Sequence, residues 1–412
     1  MLEFFGPVSI DWMGKAKFFF ALSLLLLVVG SVSLFVRGGP DYGIDFRGGT
    51  LLYVRFVKEP SIGDIRSNLA QGGFPQAIIQ KVGNVTRPDI HEVVISLDEK
   101  ALNEQKLDAG RVAIEDALHR SFPVPDSTKP DLNAAGPAAI AETLVRRDPL
   151  GFGPAAAERY RAIAAAITGF RDSQRGGLLA GVDELRQPLV ASADVRAGRG
   201  GADPVLAALR DSYTVGTFAI RNVEIVGPKV GAELRQQALL ATLYALAGML
   251  VYIAFRFEWI YGAAAVLAVF HDVLITLGLF SIFRFEISLT VIAALLTLVG
   301  YSMNDTIVIF DRVRENLRIM RRERFADVVN KSINQTLSRT ILTSGLTFLT
   351  VLVLFLLGGA PLRAFSFAMV VGIVVGTYSS FGIAAPMVVA WYRWRDQKGA
   401  VGAGSLAGSR GR

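Results

Sequence analysis

The chain has 412 residues, 52% of them hydrophobic and only 19% charged, with a mean hydropathy of +0.42. Soluble domains carry about 25% charged residues, so the composition points to a membrane protein, in which the location of the +7 net charge matters more than its size. There is no cysteine, and His91, His119 and His271 are scattered, which excludes a disulfide framework and a thiolate metal site and argues against a zinc or iron centre.

A membrane-crossing helix needs about 20 mainly apolar residues. Residues 1–16 form an N-terminal segment, expected to be cytoplasmic, that carries Lys15, and residues 17–36 form the first predicted span. Its apolar core, Phe18 to Val36, is longer than the core of a signal peptide, and no A-x-A cleavage site follows, so the span is predicted to be retained. Residues 37–235 contain no span. Five more spans are predicted over 236–256, 260–283, 287–310, 333–357 and 364–390. Lys15 and Lys17, the arginines of the 311–332 loop and Arg393, Arg395 and Lys398 in the 391–412 tail all fall on one side of such a six-span chain. That bias predicts cytoplasmic termini and an extracytoplasmic position for residues 37–235.

The 37–235 segment begins with strand-like Thr50–Phe56, followed by a helical pattern over Ser61–Gln71 with Ser61 as N-cap. Ala77–Val82 and Glu92–Leu97 alternate like strands, Leu102–Arg120 is predicted helical, and Asn222–Val226 is predicted as a returning strand. The order β-α-β-β-α-β fits a ferredoxin-like α+β domain. Residues 121–213 differ in kind, being rich in Ala, Arg, Gly and Pro, and are expected to be a partly flexible surface insertion with short helices at Ala155–Gly169 and Pro204–Asp211. The tail after Lys398 is Gly/Ser/Arg-rich and expected to be disordered. The fold class is thus an all-α bundle of six transmembrane helices with an α+β domain between helices 1 and 2.

Charges inside the spans are the candidate chemistry, because each costs at least about 2.5–3.5 kcal/mol near the bilayer centre. Span 3 carries His271 and Asp272, span 4 carries Asn304 and Asp305, and span 5 carries Arg339. Asp305 lies six residues before Asp311 and Arg339 six after Ile333, so each sits about 9 Å inside the same membrane face. Opposite charges at matching depth are expected to pair, either to move protons through Asp305 under the electrostatic control of Arg339, or simply to pin two helices. His271 and Asp272 can likewise be a functional pair or satisfy one another in a polar interface. Gly372 and Gly376 in span 6, with Gly382 and Pro386 beyond, are expected to serve close helix packing. No GxxxxGK[ST] loop and no helix-opening GxGxxG is present, so the chain is not expected to be an ATPase or any other enzyme, nor to need a cofactor.

Several of these segments are motifs in a recognisable order. Asp41-Tyr-Gly-Ile-Asp-Phe-Arg-Gly-Gly-Thr50, then VEIVGPKVGAELRQQAL, HDVLITLG, GYSMNDTIVIFDRVRENLR, TLSRTILTSG and FLLGGAPLRAFSFAM resemble the SecF branch of the SecD/SecF protein-export family, over Lys15–Gly83 and Ile220–Arg395. The resemblance implies one half of a resistance-nodulation-division (RND) type transporter in the bacterial inner membrane, paired with SecD and associated with the SecYEG channel and often YajC. It implies use of the proton gradient, without a cofactor, to finish the export of unfolded proteins already driven through by SecA. It places the family's proton-path residues on Asp305 and Arg339, and its periplasmic signature on Asp45, Arg47, Gly48 and Gly49. Nucleic acid is not among the partners. Two other readings stand beside it: an RND transporter of a small molecule or lipid, and a non-transporting scaffold of the translocon. The periplasmic segment is about twice the size usual in the family, and its insertion has no counterpart there.

Overall fold

The computed structural model describes residues 9–82, 91–98, 109–123, 126, 128–153, 156–256 and 258–408. It divides into two compact units, Met1–Phe46 with Glu233–Arg412, and Arg47–Ala232.

The first unit is built from six helices long and apolar enough to cross a membrane: span 1 Ala16–Val36, span 2 Pro228–Ile253, span 3 Trp259–Phe283, span 4 Leu289–Ile319, span 5 Phe325–Leu357 and span 6 Pro361–Gln397. Small residues set the close crossings. A Cβ on Gly30 of span 1 would lie 2.7 Å from the Cα of Gly278 in span 3, and one on Gly376 of span 6 would lie 2.9 Å from the Cβ of Ser302 in span 4. Gly372 likewise faces Leu298 of span 4, so the two glycines of span 6 do serve helix packing. Spans 3, 4 and 6 therefore form the interior, with Ala264, Ala268, Leu298, Met303, Ala368 and Ile373 buried. Spans 1 and 2 are the most exposed, with Leu24 and Phe35 on the first and Leu239, Leu243 and Tyr244 on the second.

Span 6 is not one regular helix. Gly359–Ser379 is α-helical, Ser380–Ala384 forms a π-helical turn, and α-helix resumes at Ala385. Pro386 explains the break. It has no amide to donate one turn back, and the chain just before it widens into a π turn.

Two helices extend beyond the predicted spans. Span 4 runs to Ile319 and span 5 begins at Phe325, so the expected 311–332 loop contracts to residues 320–324. The charged residues there continue the helices, held by Asn316 donating to Ser332 Oγ and to Gln335 Oε1, both at 2.8 Å. The tail also departs from expectation. Helix continues to Gly408 with no proline after Pro386 to stop it, and residues 409–412 lie outside the described residues.

In the second unit, β1 (Gly49–Phe56), β2 (Ile78–Val82), β3 (His91–Asp98) and β4 (Phe218–Val226) form an antiparallel sheet in the order β2-β3-β1-β4. The α1 helix (Ile62–Gln71) follows β1, and Ser61 caps it by accepting from the amide of Asp64. The α2 helix (Ala109–Ser121) precedes the insertion, and the predicted start of this helix at residues 102–108 lies outside the described residues. Alternation in β1 and β3 sends Leu52, Val54, Phe56, Val93, Ile95 and Leu97 to one face, where they bury Ile65 and Leu69 of α1 and Ile114 and Leu118 of α2. The β-α-β-β-α-β order expected from the sequence is thus the order of the sheet unit.

The insertion corrects the expectation of partial flexibility. Helices α3 (Pro137–Arg147), α4 (Ala156–Ser173), α5 (Arg186–Ala191), α6 (Ala193–Ala197) and α7 (Ala202–Ser212) enclose a core of their own around Ile140, Leu144, Tyr160, Ile163, Leu206 and Leu209. Its alanines let the helices approach, and its Gly and Pro clusters are the turns between them. One turn is held by Asp148, which accepts from the amides of Gly153 and Phe152 and from the Tyr160 hydroxyl. Those amides hold its carboxyl below the usual range, and burial pushes the Tyr160 hydroxyl up to about 12.

Candidate functional site

The expected intramembrane charges occupy two neighbouring positions along span 4. Asp305 is 2% exposed and accepts a hydrogen bond from Ser344 Oγ of span 5 at 2.8 Å. Three residues earlier on the same helix face, Ser302 Oγ donates to Asp272 Oδ2 of span 3 at 2.5 Å. The other partners of Asp272 are His271 Nδ1, 2.8 Å from Oδ1, and Ser379 Oγ of span 6, 2.8 Å from Oδ2. Asp272 is entirely buried. Span 4 thus carries one buried carboxylate, held by a hydroxyl of span 5, and through Ser302 helps to hold a second, on span 3.

Arg339 does not form the ion pair expected of it. It is exposed, and among the described residues no ion pair or hydrogen bond from its guanidinium is present. The reason is angular. Arg339 and Ser344 are five residues apart, about 140° around the helix, so the helix face that brings Ser344 to Asp305 turns Arg339 outward. Asn304, next to Asp305, also faces outward, on a stripe with Ala293, Thr297 and Gly300.

The Asp45–Gly49 signature does structural work at both ends of its helical turn, Ile44–Arg47. Asp45 Oδ2 accepts from the amide of Leu289 at 2.8 Å, and Ser288 Oγ accepts from that of Val291. Both are orphan donors at the start of span 4. Arg47 is half-buried. Gly48 has φ +75°, and a Cβ there would lie 2.8 Å from the Cα of Pro228, so only glycine fits. Gly49 opens β1, opposite Asp98 and Val226.

Comparison with known proteins gives the same assignment. The family "Protein export membrane protein SecD/SecF, C-terminal" matches residues 206–394, and the SecD/SecF GG motif matches residues 32–59. The protein translocase subunit SecF of Koribacter versatilis is 51% identical over 97% of this chain and 95% of its own length, so the 121–213 segment, expected to lack a counterpart in the family, is shared with this relative. The chain belongs to the SecF family of protein translocase subunits. The SecF of Calditerrivibrio nitroreducens is 35% identical over 92% of this chain and 93% of its own. A crystal structure of SecDF from Thermus thermophilus, described as a translocon-associated membrane protein, superposes with a TM-score of 0.61 at 32% identity. It covers 94% of this chain, which in turn spans 39% of that longer protein. The chain is accordingly a multi-pass membrane protein of protein transport.

Sequence reasoning found Asp305 and Asp272 but not the hydroxyls that hold them. Ser302, Ser344 and Ser379 are small polar residues inside apolar runs, and that is the signal they carry; which carboxylate each one meets depends on helix packing.

Proposed function

We propose that this chain is the SecF half of a proton-driven auxiliary of the Sec machinery, acting with a SecD-type partner in the late steps of export across the bacterial inner membrane. Its termini lie in the cytoplasm and its 37–235 domain in the periplasm, in keeping with the lysine and arginine bias of the loops. It works at the SecYEG channel, with YajC as a companion, on unfolded polypeptides that SecA has already advanced.

The observation that carries this reading is Asp305: a carboxylate in the middle of a membrane helix, 2% exposed, with Ser344 as its hydrogen-bond donor and no ion pair among the described residues. Such a charge is expensive to keep in a membrane. Two states relieve the cost, one with a proton on the carboxyl and one with a cation beside it. Arg339 is that cation, since it is always charged and stands on span 5 five residues from Ser344, the hydrogen-bond donor to Asp305. A helix movement that alternates the two states takes up a proton on one side and releases it on the other. The partner half supports the cycle by covering the outward stripe of span 4 and the exposed Arg339. The fused SecDF relative, 54% identical over 168 residues, supports SecD as that partner.

The test is Asp305→Asn in inverted membrane vesicles carrying the partner and the channel. The variant is expected to co-purify with the SecD-type partner as the wild type does, yet lose gradient-dependent completion of export. Completion at the wild-type rate under a proton gradient would overturn the proposal.

A further inference from the structure

The mechanism above uses Asp305 and leaves the second buried carboxylate without a task. We infer that His271 and Asp272 form a second proton-binding site within the membrane, with Nε2 of His271 as the atom that takes the proton. The inference rests on the proton-driven reading and extends it from one carboxylate to two.

Hydrogen-bond accounting leads to it. Asp272 is entirely buried; the hydroxyls of Ser302 and Ser379 donate to its Oδ2, and His271 Nδ1 lies 2.8 Å from its Oδ1. In the Nδ1–H tautomer of His271 three donors are directed at this carboxylate, the arrangement that an ionised carboxylate accepts. Neutral donors do not cancel a buried charge, and an unpaired one is costly in a membrane interior. The imidazole can cancel it. With Nδ1–H committed to Asp272, the lone pair of a neutral ring is on Nε2. That nitrogen is buried and has no hydrogen-bond partner among the described residues, in a residue that is 9% exposed. A proton arriving there forms one N–H bond and converts the dyad into an imidazolium–carboxylate pair of zero net charge; its departure reverses the change.

The surroundings link this event to a helix that can respond. Tyr378 of span 6 meets the His271 ring edge-on, with centroids 6.1 Å apart, and its hydroxyl is 3.1 Å from Ser23 Oγ of span 1. The next residue, Ser379, holds Asp272, and the π turn begins immediately after it. Consecutive residues of span 6 thus touch the base and its carboxylate. Tyr378 is the titratable group facing the dyad from span 6. Spans 1 and 4 present Ser23 and Ser302, and Asp305 is turned to Ser344 of span 5. Among the described residues no lysine or arginine is paired with the dyad.

A mere helix clamp would need only the Nδ1 donor. Asparagine at position 271 keeps an N–H near that place and offers no basic nitrogen, so His271→Asn separates the two roles. In vesicles holding the chain with its SecD-type partner and the channel, this variant is expected to co-purify normally and to slow gradient-driven export by at least about tenfold. The gradient-independent step is expected to remain unchanged. Export at the wild-type rate overturns the inference. If Asp305→Asn still abolishes the gradient-driven step in that case, the proton-driven reading survives alone; if both variants export normally, that reading falls too. Should His271→Asn fail to co-purify, the wild-type complex decides the matter by nitrogen-15 histidine spectroscopy in membranes. The His271 signal, assigned by its absence from the variant chain, is expected to change between the neutral and doubly protonated forms when a proton gradient is imposed and then collapsed. A single form throughout overturns the inference.

Discussion

Asp45 and Ser288 each satisfy a different amide at the start of span 4, Leu289 and Val291 respectively. The two caps do not duplicate one another, so the loss of either exposes a donor that the other cannot reach. Asp45→Ala is expected to cost about 1 kcal/mol, seen as a lower thermal transition of the purified protein, whereas Asp45→Asn should retain most of the cap. A variant as stable as the wild type would show that the contact contributes nothing. Nothing in the sequence around Asp45 reveals this role, because the helix it caps begins far along the chain. Asp305 was legible for the opposite reason: a carboxylate inside an apolar run is conspicuous whatever it touches. Its pairing with Arg339 was inferred from depth alone, and depth says nothing about azimuth. Ser344 took the place at Asp305 that Arg339 was expected to fill.

At the scale of elements, the six spans and the four strands were readable because each is set by local periodicity and by apolar length. The π turn was not, although Gly382 and Pro386 marked the region, because a proline in a membrane helix can be accommodated in several ways. The insertion was misjudged from composition. Alanine, glycine and proline suggested a loose segment, yet the large side chains among them, Ile140, Leu144, Tyr160, Ile163, Leu206 and Leu209, recur at helical spacing and close a core. That core and the sheet's core are separate clusters within the second unit. Leu144→Ala, at a fully buried position, is therefore expected to cost about 2–5 kcal/mol within the insertion. Hydrogen exchange should accelerate over residues 137–212 while the amides of β1 and β3 keep their protection. Equal acceleration in both would show that the two cores unfold as one.

For the whole molecule, the outward stripe of Ala293, Thr297, Gly300 and Asn304 on span 4 is the surface that composition could not reveal, since it is defined by what the other spans leave uncovered. Gly300 has nothing within 4 Å of where a Cβ would stand, so Gly300→Leu fits the isolated chain. It is expected to reduce co-purification of the SecD-type partner strongly, with little change in the yield of the chain itself; undiminished recovery would place the partner on another face.

Spans 4 and 5 have 31 and 33 residues, about 46 and 50 Å of helix, against about 30 Å of hydrocarbon. Their surplus forms a hairpin closed by residues 320–324 and braced by Asn316 against Ser332 and Gln335. A braced pair of helices behaves as a lever, because a rigid rod cannot shift at Asp305 or Ser344 without shifting at its tip. A displacement at Asp305 or Ser344 would therefore be felt at the 320–324 turn. A pair of spectroscopic labels on that tip would test the proposed proton cycle from outside the bilayer.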